Sequence, residues 1–551
     1  MILDLPSLPR APRRRGQPIQ RPSSLRLPVL LVAALLALTP AGPASGQSAP
    51  LRGLDTYVKR VMKDWRAPGL AIAIVKDDSV VLARGYGVRE LGKPAPVTKN
   101  TLFAIASTSK AFTVAALGML VDEGRLSWDT RVTDVLPGFR LYDPYVTREL
   151  TVRDLLSHRA GLPRGDYLWY MSPFNRTEVL RRVRYLKPAW SFRSHYGYQN
   201  IMFITAGQII PALTDTTWDD FVRQRIFRPL GMDNSTTTVR TLPSRPDVAT
   251  PHGLINDTVR PIPWPDFDNL GGAGAINSSV ADMAQWIRLQ LGSGVYDGHR
   301  MLSDSVIREM RSPQTIIPLD SADHALFPSV LFEAYGLGWD LDDYRGHKVV
   351  THGGALDGMR THVGLIPDAH LGVVVITNIN ESAVPELIMY HIFDRYLGPR
   401  PNGQQRDWNQ LFLARADSQR ARARKRRQEI EAARVPDTTP SLDLDAYVGT
   451  YQDSLYGKVV ITRQGDHLAI AVGPHFTAPL RHWHFDTFRA IWDNPYEGKT
   501  FVTFHLDAMA RVESVDGERG RLPHSAQPEG TGEWPVSRSP RLCGVEAWER
   551  G

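Results

Sequence analysis

Apolar positions change period from segment to segment along this chain, and the changes divide it. Within residues 54–65 they fall at Leu54, Tyr57, Val58, Val61 and Trp65, the spacing of one helical face. Residues 70–75 are a continuous apolar run, Lys76-Asp77-Asp78-Ser79 is turn chemistry, and 80–87 resumes an extended pattern. Together they predict a β-hairpin. Helical spacing returns over about 103–124, 218–227 and 281–291. Extended runs follow at 347–352, 361–367 and 372–378, joined by Gly-rich or Pro/Asp turns, and a helical stretch closes the segment at 386–397. Strands at both ends of a segment with helices between them predict a mixed α/β body over residues 50–400, its sheet assembled from both ends.

Beyond that body the pattern shortens. Residues 401–440 carry a basic run at 420–427 and end in Val435-Pro-Asp-Thr-Thr-Pro440, which predicts a basic helical linker. Short β-rich runs at 447–451, 459–463, 468–472, 488–492 and 501–506 predict a small antiparallel barrel or sandwich over 441–521. Residues 522–551 are rich in Pro, Gly, Ser and Glu and are expected to be loose. No internal repeat is present.

At the amino terminus, Arg10, Arg13, Arg14, Arg15, Arg21 and Arg26 face only Asp4, and an apolar run at 27–38 leads to Pro40, Pro43 and Ala44-Ser45-Gly46. A basic segment, a short apolar core and a small-residue exit read as a secretory signal over residues 1–46. The mature chain is then expected to be exported, periplasmic or secreted, from near Gln47. The apolar run is shorter than the ~20 residues a bilayer span needs, so no stable span is expected after cleavage; a buried helix or an anchor fits these flanks less well.

This segment also accounts for most of the charge. The 551-residue chain holds 65 basic and 58 acidic side chains, a net +7. The signal carries six arginines against one aspartate and the run at 420–427 six more cations, so the remaining body is mildly acidic. The charge therefore gives no reason to expect a nucleic-acid partner. One cysteine, Cys543, excludes an intramolecular disulfide and any Cys-x-x-Cys site, and 42% hydrophobic content excludes a collagen-like or largely disordered chain.

Zinc-peptidase, dinucleotide, Walker and GxSxG signatures are all absent. Present is Phe103-Ala-Ile-Ala-Ser107-Thr-Ser-Lys110, the sequence's one Ser-x-x-Lys, where an extended apolar approach passes into a helical pattern. Three positions apart on a helix is one face, which brings Lys110 over Ser107. A serine hydroxyl needs a base to become a nucleophile, and a desolvated lysine can be that base. A surface helix with an exposed lysine is the plainer reading of the motif alone; Ile105, Phe112, Val114, Leu117 and Leu120 argue instead for a buried helix.

Two further motifs stand in order: Tyr198-Gln-Asn200, and His352-Gly353-Gly354-Ala355 at the end of an apolar strand. With the landmarks Leu155-Leu-Ser-His-Arg-Ala-Gly-Leu162 and Arg225-Ile-Phe-Arg-Pro-Leu-Gly-Met232, the chain resembles the class C β-lactamase and penicillin-recognising serine hydrolase family over roughly residues 50–400. The resemblance implies a mainly antiparallel sheet flanked by helices and followed by a lipocalin-like β domain. It implies Ser107 as the acylated nucleophile, Lys110 as its base and Tyr198 as a proton relay. Asn200 would hold the lysine and the substrate amide. His352, Gly353 and Gly354 would line the substrate, with His352 orienting it or supplying positive character. The backbone N–H groups of Ser107 and Ala355 would form the oxyanion hole. Tyr196 is an alternative tyrosine, but only Tyr198 has an asparagine two residues on.

The family's β-lactamases usually carry lysine where this chain has His352. That departure lowers the expectation of β-lactam hydrolysis and leaves D,D-peptidase, D-amino-acid amidase or esterase chemistry. The expected partner is a small-molecule or short-peptide substrate, cell-wall fragments included, with no metal and no cofactor. A penicillin or peptidoglycan-fragment sensor with negligible turnover is the alternative. In the β domain, His482 and His484 flank Trp483 and would share a face of a strand, as a metal pair does. With no third ligand nearby, a packing or substrate-covering face is the simpler reading.

Overall fold

Alternation explains the central sheet. In β1 (Gly69–Lys76), Leu70, Ile72 and Ile74 turn to one side and Ala71, Ala73 and Val75 to the other, and both sets are fully buried. A strand covered on both faces reads as uninterrupted apolar sequence. The computed structural model describes residues 49–519 except 381, 401–402, 404–405 and 495–496, together with a strand at 533–538. The expected signal at 1–46 and Cys543 lie outside the described residues.

β1 pairs with its hairpin partner β2 (Ser79–Gly87) on one side. The other strands of the sheet are β3 (Thr315–Ile317), β4 (Glu333–Tyr335), β5 (Asp340–Tyr344), β6 (His347–Leu356), β7 (Met359–Ile366) and β8 (Leu371–Thr377). The order across the sheet is β2-β1-β8-β7-β6-β5-β4-β3, and every neighbouring pair is antiparallel. Ile72 lies opposite Val375, which joins the first strands to the last, so the sheet is assembled from both ends of the segment.

One face of the sheet packs on α1 (Leu54–Trp65) and α5 (Val384–Tyr396), through residues such as Val58, Val61, Leu387 and Ile388. The other carries the larger core, which includes α2 (Ser109–Asp122), α3 (Asn200–Thr214) and α4 (Val280–Leu291). There Phe112 stacks on Trp286 with ring centroids 3.9 Å apart and meets Phe227 edge-on. Residues Ser109 to Leu120 of α2 are buried on every side, as befits a helix without a polar stripe. The helical pattern at 103–124 overshoots, however. Phe103–Ala104 is a short strand, Ala106–Thr108 a 3-10 turn, and the α-helix begins only at Ser109. The cause is Ala106, whose φ of 49° lies outside the helical region and which an apolar pattern cannot reveal.

The expected linker is α6 (Trp408–Ala432), and its two ends differ. Trp408, Asn409 and Phe412 are buried, with the Trp65 indole donating to Asn409 Oδ1 at 2.9 Å, while residues 417–429 are exposed. After it, β9 (Gly449–Asp453), β10 (Gly457–Gln464), β11 (His467–Val472), β12 (Phe476–His484), β13 (Thr487–Ile491), β14 (Lys499–Leu506), β15 (Val512–Arg519) and β16 (Glu533–Arg538) pair in succession, and β16 returns to β9. Tyr451, Val459, Ile461, Leu468, Ile470, Leu480, Phe488 and Phe504 are buried in this barrel.

Three strands were not evident in the apolar runs, two of them, β12 and β15, because Thr, Pro and charged residues dilute their alternation. The third, β16, lies inside the stretch expected to be loose. A register shift between His482 and His484 breaks the alternation of β12, so the two histidines do not share a face as expected. His482 Nε2 meets the Phe485 carbonyl at 2.9 Å, and Val435 N–H donates to His484 Nδ1. Among the described residues no helix is long and apolar enough to cross a membrane.

Candidate active site

The turn carrying Ser107 is held in a strained shape. Ala106 occupies the left-handed region, which costs a non-glycine residue about 1–2 kcal/mol and persists where surroundings over-determine it. Ile105 N–H donates to the Ile276 carbonyl at 3.0 Å, and the Thr108 hydroxyl donates back to the Ile105 carbonyl at 2.8 Å. On the far side, Gly354 of β6 is seated so closely that any Cβ there would collide with the Ile105 carbonyl. The bend lifts Ser107, partly exposed, out of a fully buried segment at the start of α2.

Lys110, completely buried, sits in the first turn of α2. Its Nζ lies 3.0 Å from Ser107 Oγ, 2.8 Å from Asn200 Oδ1 and 3.0 Å from the Ala273 carbonyl. Two of these partners can only accept. A neutral amine has two N–H groups for them and one lone pair left, which points to the serine hydroxyl. Burial holds the Lys110 ammonium well below the ordinary lysine value of 10.5, and the Arg164 charge adds to this. Asn200 begins α3 and is oriented from both ends: Oδ1 accepts from Lys110, and Nδ2 donates to Asp166 Oδ1 at 3.0 Å.

Tyr198 comes from the loop just before α3. Its ring centroid is 4.7 Å from Lys110 Nζ. Burial raises the phenol above its ordinary value, against a hydrogen bond with Ser107 and the Arg164 charge, so it stays protonated at neutral pH. Tyr196 packs instead against His158 and Tyr335.

The opposite wall is the end of β6. Its pairing with β5 stops at Thr351, which leaves His352 to Leu356 without a β5 neighbour on that side, and there the strand meets the Ser107 turn. Ala355 follows the seated Gly354 directly. Gly353 alternates to the other face, where a Cβ would find only the His362 ring, at 3.5 Å. His352 is held at both ring nitrogens. Its Nδ1 is 2.7 Å from the Gly353 carbonyl and so carries the proton, and Nε2 accepts from the Tyr335 hydroxyl at 2.9 Å. Burial, and then the nearby Lys110, push it down to about 3, so the imidazole supplies no positive charge at neutral pH.

Three neighbours were missed by the sequence reading. Arg164 Nε donates to Asp166 Oδ2 at 2.6 Å, and its guanidinium lies 5.1 Å from the Tyr198 centroid. Asp166 also accepts from the Trp169 indole at 2.7 Å. His158 is buried among Tyr196, Tyr198, Phe203 and Tyr335, and takes the Gln199 N–H on Nδ1 at 3.0 Å. The one signal for the ion pair was its place, Pro163-Arg-Gly-Asp166, immediately after a quoted landmark. Among the described residues no group of three or more His, Cys, Asp or Glu side chains is placed to hold a metal ion.

The chain is similar to known proteins in both of its parts. The Beta-lactamase family model matches residues 54–392, and a Domain of unknown function (DUF3471) matches residues 433–529. An unguisins hydrolase of Aspergillus campestris is 31% identical over 421 residues, which cover 73% of this chain and 76% of that protein. Penicillin-binding protein 4 of Amycolatopsis lactamdurans is 32% identical over 332 residues, 56% of this chain and 81% of that one. Among solved structures, the octameric penicillin-binding protein homologue from Pyrococcus abyssi shares the fold with a TM-score of 0.58 at 23% identity, covering 85% of this chain and 98% of that chain.

Proposed function

The chain belongs to the Beta-lactamase family of serine hydrolases, and we propose that it cleaves an amide or ester through an acyl-enzyme on Ser107. One observation carries this reading: the buried Lys110 amine, fixed by Asn200 and Ala273, lies 3.0 Å from Ser107 Oγ with its ammonium form disfavoured. Ser107 Oγ attacks the substrate carbonyl as its proton passes to Lys110. The tetrahedral oxyanion takes hydrogen bonds from the Ser107 and Ala355 N–H groups, each worth about 2.7–4 kcal/mol in comparable sites. The proton then travels by Tyr198 to the leaving nitrogen or oxygen, and the C–N or C–O bond breaks. Water repeats the cycle in reverse roles, with Lys110 and Tyr198 drawing off its proton and Ser107 regaining one.

Substrate preference follows from the neutral His352. A wall with no cation there favours uncharged amides and esters over a substrate carboxylate, so D-amino-acid amidase and esterase activities fit it directly, whereas β-lactamase or D,D-peptidase activity would need another group to hold the carboxylate. The proposed site of action is outside the cytoplasm, on the strength of the sequence at 1–46.

The test is intact-mass measurement after a fluorophosphonate probe, followed by turnover of nitrocefin, short p-nitrophenyl esters and peptides ending in D-alanine. A single adduct absent from Ser107→Ala, with turnover of an ester or peptide and weak nitrocefin hydrolysis, is expected. Labelling unchanged in Ser107→Ala refutes the nucleophile. Stoichiometric acylation by every substrate with no turnover would establish the sensor instead.

A further inference from the structure

Asp166 stands one side chain removed from the reacting groups, at the start of a 3-10 turn, Asp166–Leu168. Its carboxylate takes the Asn200 Nδ2 group on Oδ1 at 3.0 Å, the Trp169 indole on Oδ1 at 2.7 Å, and Arg164 Nε on Oδ2 at 2.6 Å. Surrounded by donors, it acts as an acceptor alone. That one-way chemistry decides which way the Asn200 amide faces. With its NH2 turned to Asp166, Asn200 presents only its oxygen to Lys110, which spends one amine N–H on it at 2.8 Å. The other amine N–H goes to the Ala273 carbonyl, and the lone pair is left for the Ser107 hydroxyl at 3.0 Å.

The reversed amide would undo this. Two oxygens would then face each other between Asn200 and Asp166, and the Asn200 NH2 would point at the Lys110 amine. Asn200 would take up the lone pair, and Lys110 would meet Ser107 with an N–H, unable to receive its proton. The turn is also braced from the barrel. Tyr167, next to Asp166, meets the Tyr456 ring edge-on with centroids 6.1 Å apart. Tyr456 lies in the loop at 454–456 between β9 and β10, and the Ser454 carbonyl of that loop accepts from Arg182 of the body at 2.8 Å.

We infer that Asp166 is a positioning residue that fixes the Asn200 amide and, through it, the direction of the Lys110 lone pair, and that the barrel steadies the turn carrying it through Tyr456. The inference rests on the acyl-enzyme reading above and adds what holds its base in the productive arrangement. Charge separates this role from simple support. Burial and then Arg164 hold the Lys110 ammonium low, while Asp166 and Asp340 oppose them; Tyr198, His158 and His352 complete the titratable surroundings of the amine. Removing the Asp166 anion therefore disfavours the ammonium form further, even as it frees the amide to turn.

The fluorophosphonate probe on the full chain reads this, with the maximal acylation rate and the half-saturating probe concentration measured separately across pH. Asp166→Asn keeps the shape but can donate as well as accept, so both directions of the Asn200 amide become satisfied. Its maximal rate is expected to fall at least about tenfold, part of the roughly 10²–10⁴-fold that a positioned base contributes, with half-saturation within about twofold. Its acid limb should move to lower pH while the plateau drops. Trp169→Phe removes another donor to the same carboxylate and should stay within about twofold of wild type. Tyr456→Ala should slow acylation about threefold in the wild-type background and add nothing in Asp166→Asn. An unchanged plateau or a limb moved to higher pH in Asp166→Asn, or an equal fall in Trp169→Phe, overturns the role of Asp166. Additive effects of Tyr456→Ala and Asp166→Asn, or no effect of Tyr456→Ala, overturn the part given to the barrel. A wild type that takes no label on Ser107 fails the acyl-enzyme reading itself; a labelled wild type with an unchanged Asp166→Asn fails this inference alone.

Discussion

The catalytic centre and the contact between barrel and body are built in different ways. On the catalytic side, Ser107, Lys110, Tyr198 and Asn200 come from two short stretches, and the polar atoms around the Lys110 amine are matched acceptor for donor. On the barrel side, Tyr170, Asp357 and Glu497 come from three distant parts of the chain. There one phenol contacts two carboxylates, Asp357 at 2.7 Å and Glu497 at 2.8 Å. A phenol has one proton to give, so both contacts are hydrogen bonds only when one carboxyl is itself protonated. Burial pushes Asp357 up to about 7; the Tyr170 hydrogen bond opposes this, and the Glu497 charge adds to it. Fixed geometry serves the chemistry, while a titratable contact joins the accessory domain.

The largest expected break is on the fixed side. Gly354→Ala drives a methyl into the Ile105 carbonyl and displaces the nucleophile turn, and a displacement near 1 Å costs about 100-fold in rate. Gly353→Ala meets only ordinary contact with His362 and should retain near-wild-type activity. Equal loss in both variants, read as kcat/KM, would remove Gly354 from its role as the seat of the turn.

Next comes the buried ion cluster at Asp154. Asp154 is fully buried, accepting from Arg159 at 2.6 Å, from Arg193 at 2.7 Å and from the Thr151 hydroxyl. Asp154→Ala leaves Arg159 only the Gln314 carbonyl and the half-exposed Arg193 only the Glu149 carbonyl, and should destabilise by about 1–3 kcal/mol in denaturant unfolding. A loss near zero would mean that solvent already satisfies both arginines.

On the barrel side the effect depends on pH. The folded chain keeps a proton on Asp357 that the unfolded chain releases near the ordinary value of 3.8. Between about pH 4 and 7 the native state thus binds the extra proton. Stability from this group is present in full below that window, and is lost as pH rises through it, at no more than about 1.4 kcal/mol per pH unit. Asp357→Asn should flatten that slope in pH-dependent melting; an unchanged slope assigns it to another group.

Arg164→Gln is the smallest of these changes. Removing a cation beside Lys110 favours the ammonium form, so the acid limb of kcat/KM should move to higher pH, by up to about one unit. Movement to lower pH would contradict the electrostatic role given to Arg164.

What could be read from the sequence follows the same division. Ser107-x-x-Lys110 and Tyr198-x-Asn200 are local spacings, and the chain folds them into contact much as their spacing implies. The β1–β2 hairpin and the return of β8 to β1 were legible because burial on both faces leaves its mark in composition. The Ala106 bend was not, since a positive φ on alanine has no sequence signature. A largely neutral His352 was expected from the ordinary histidine value; the Tyr335 hydroxyl from β4 and the burial that hold it so were not legible, because they come from elements far away in sequence. The Tyr170–Asp357–Glu497 contact belongs to this second kind. It exists only once the barrel has docked.

The central claim is that Lys110 serves as a neutral base, and the rate of fluorophosphonate acylation of Ser107 as a function of pH tests it most directly. The rate should rise through a single ionisation well below the ordinary lysine value of 10.5 and then level off. A rate that is flat across neutral pH and climbs only near 10.5 would mean that Lys110 remains an ammonium ion, and that some other group takes the proton of Ser107.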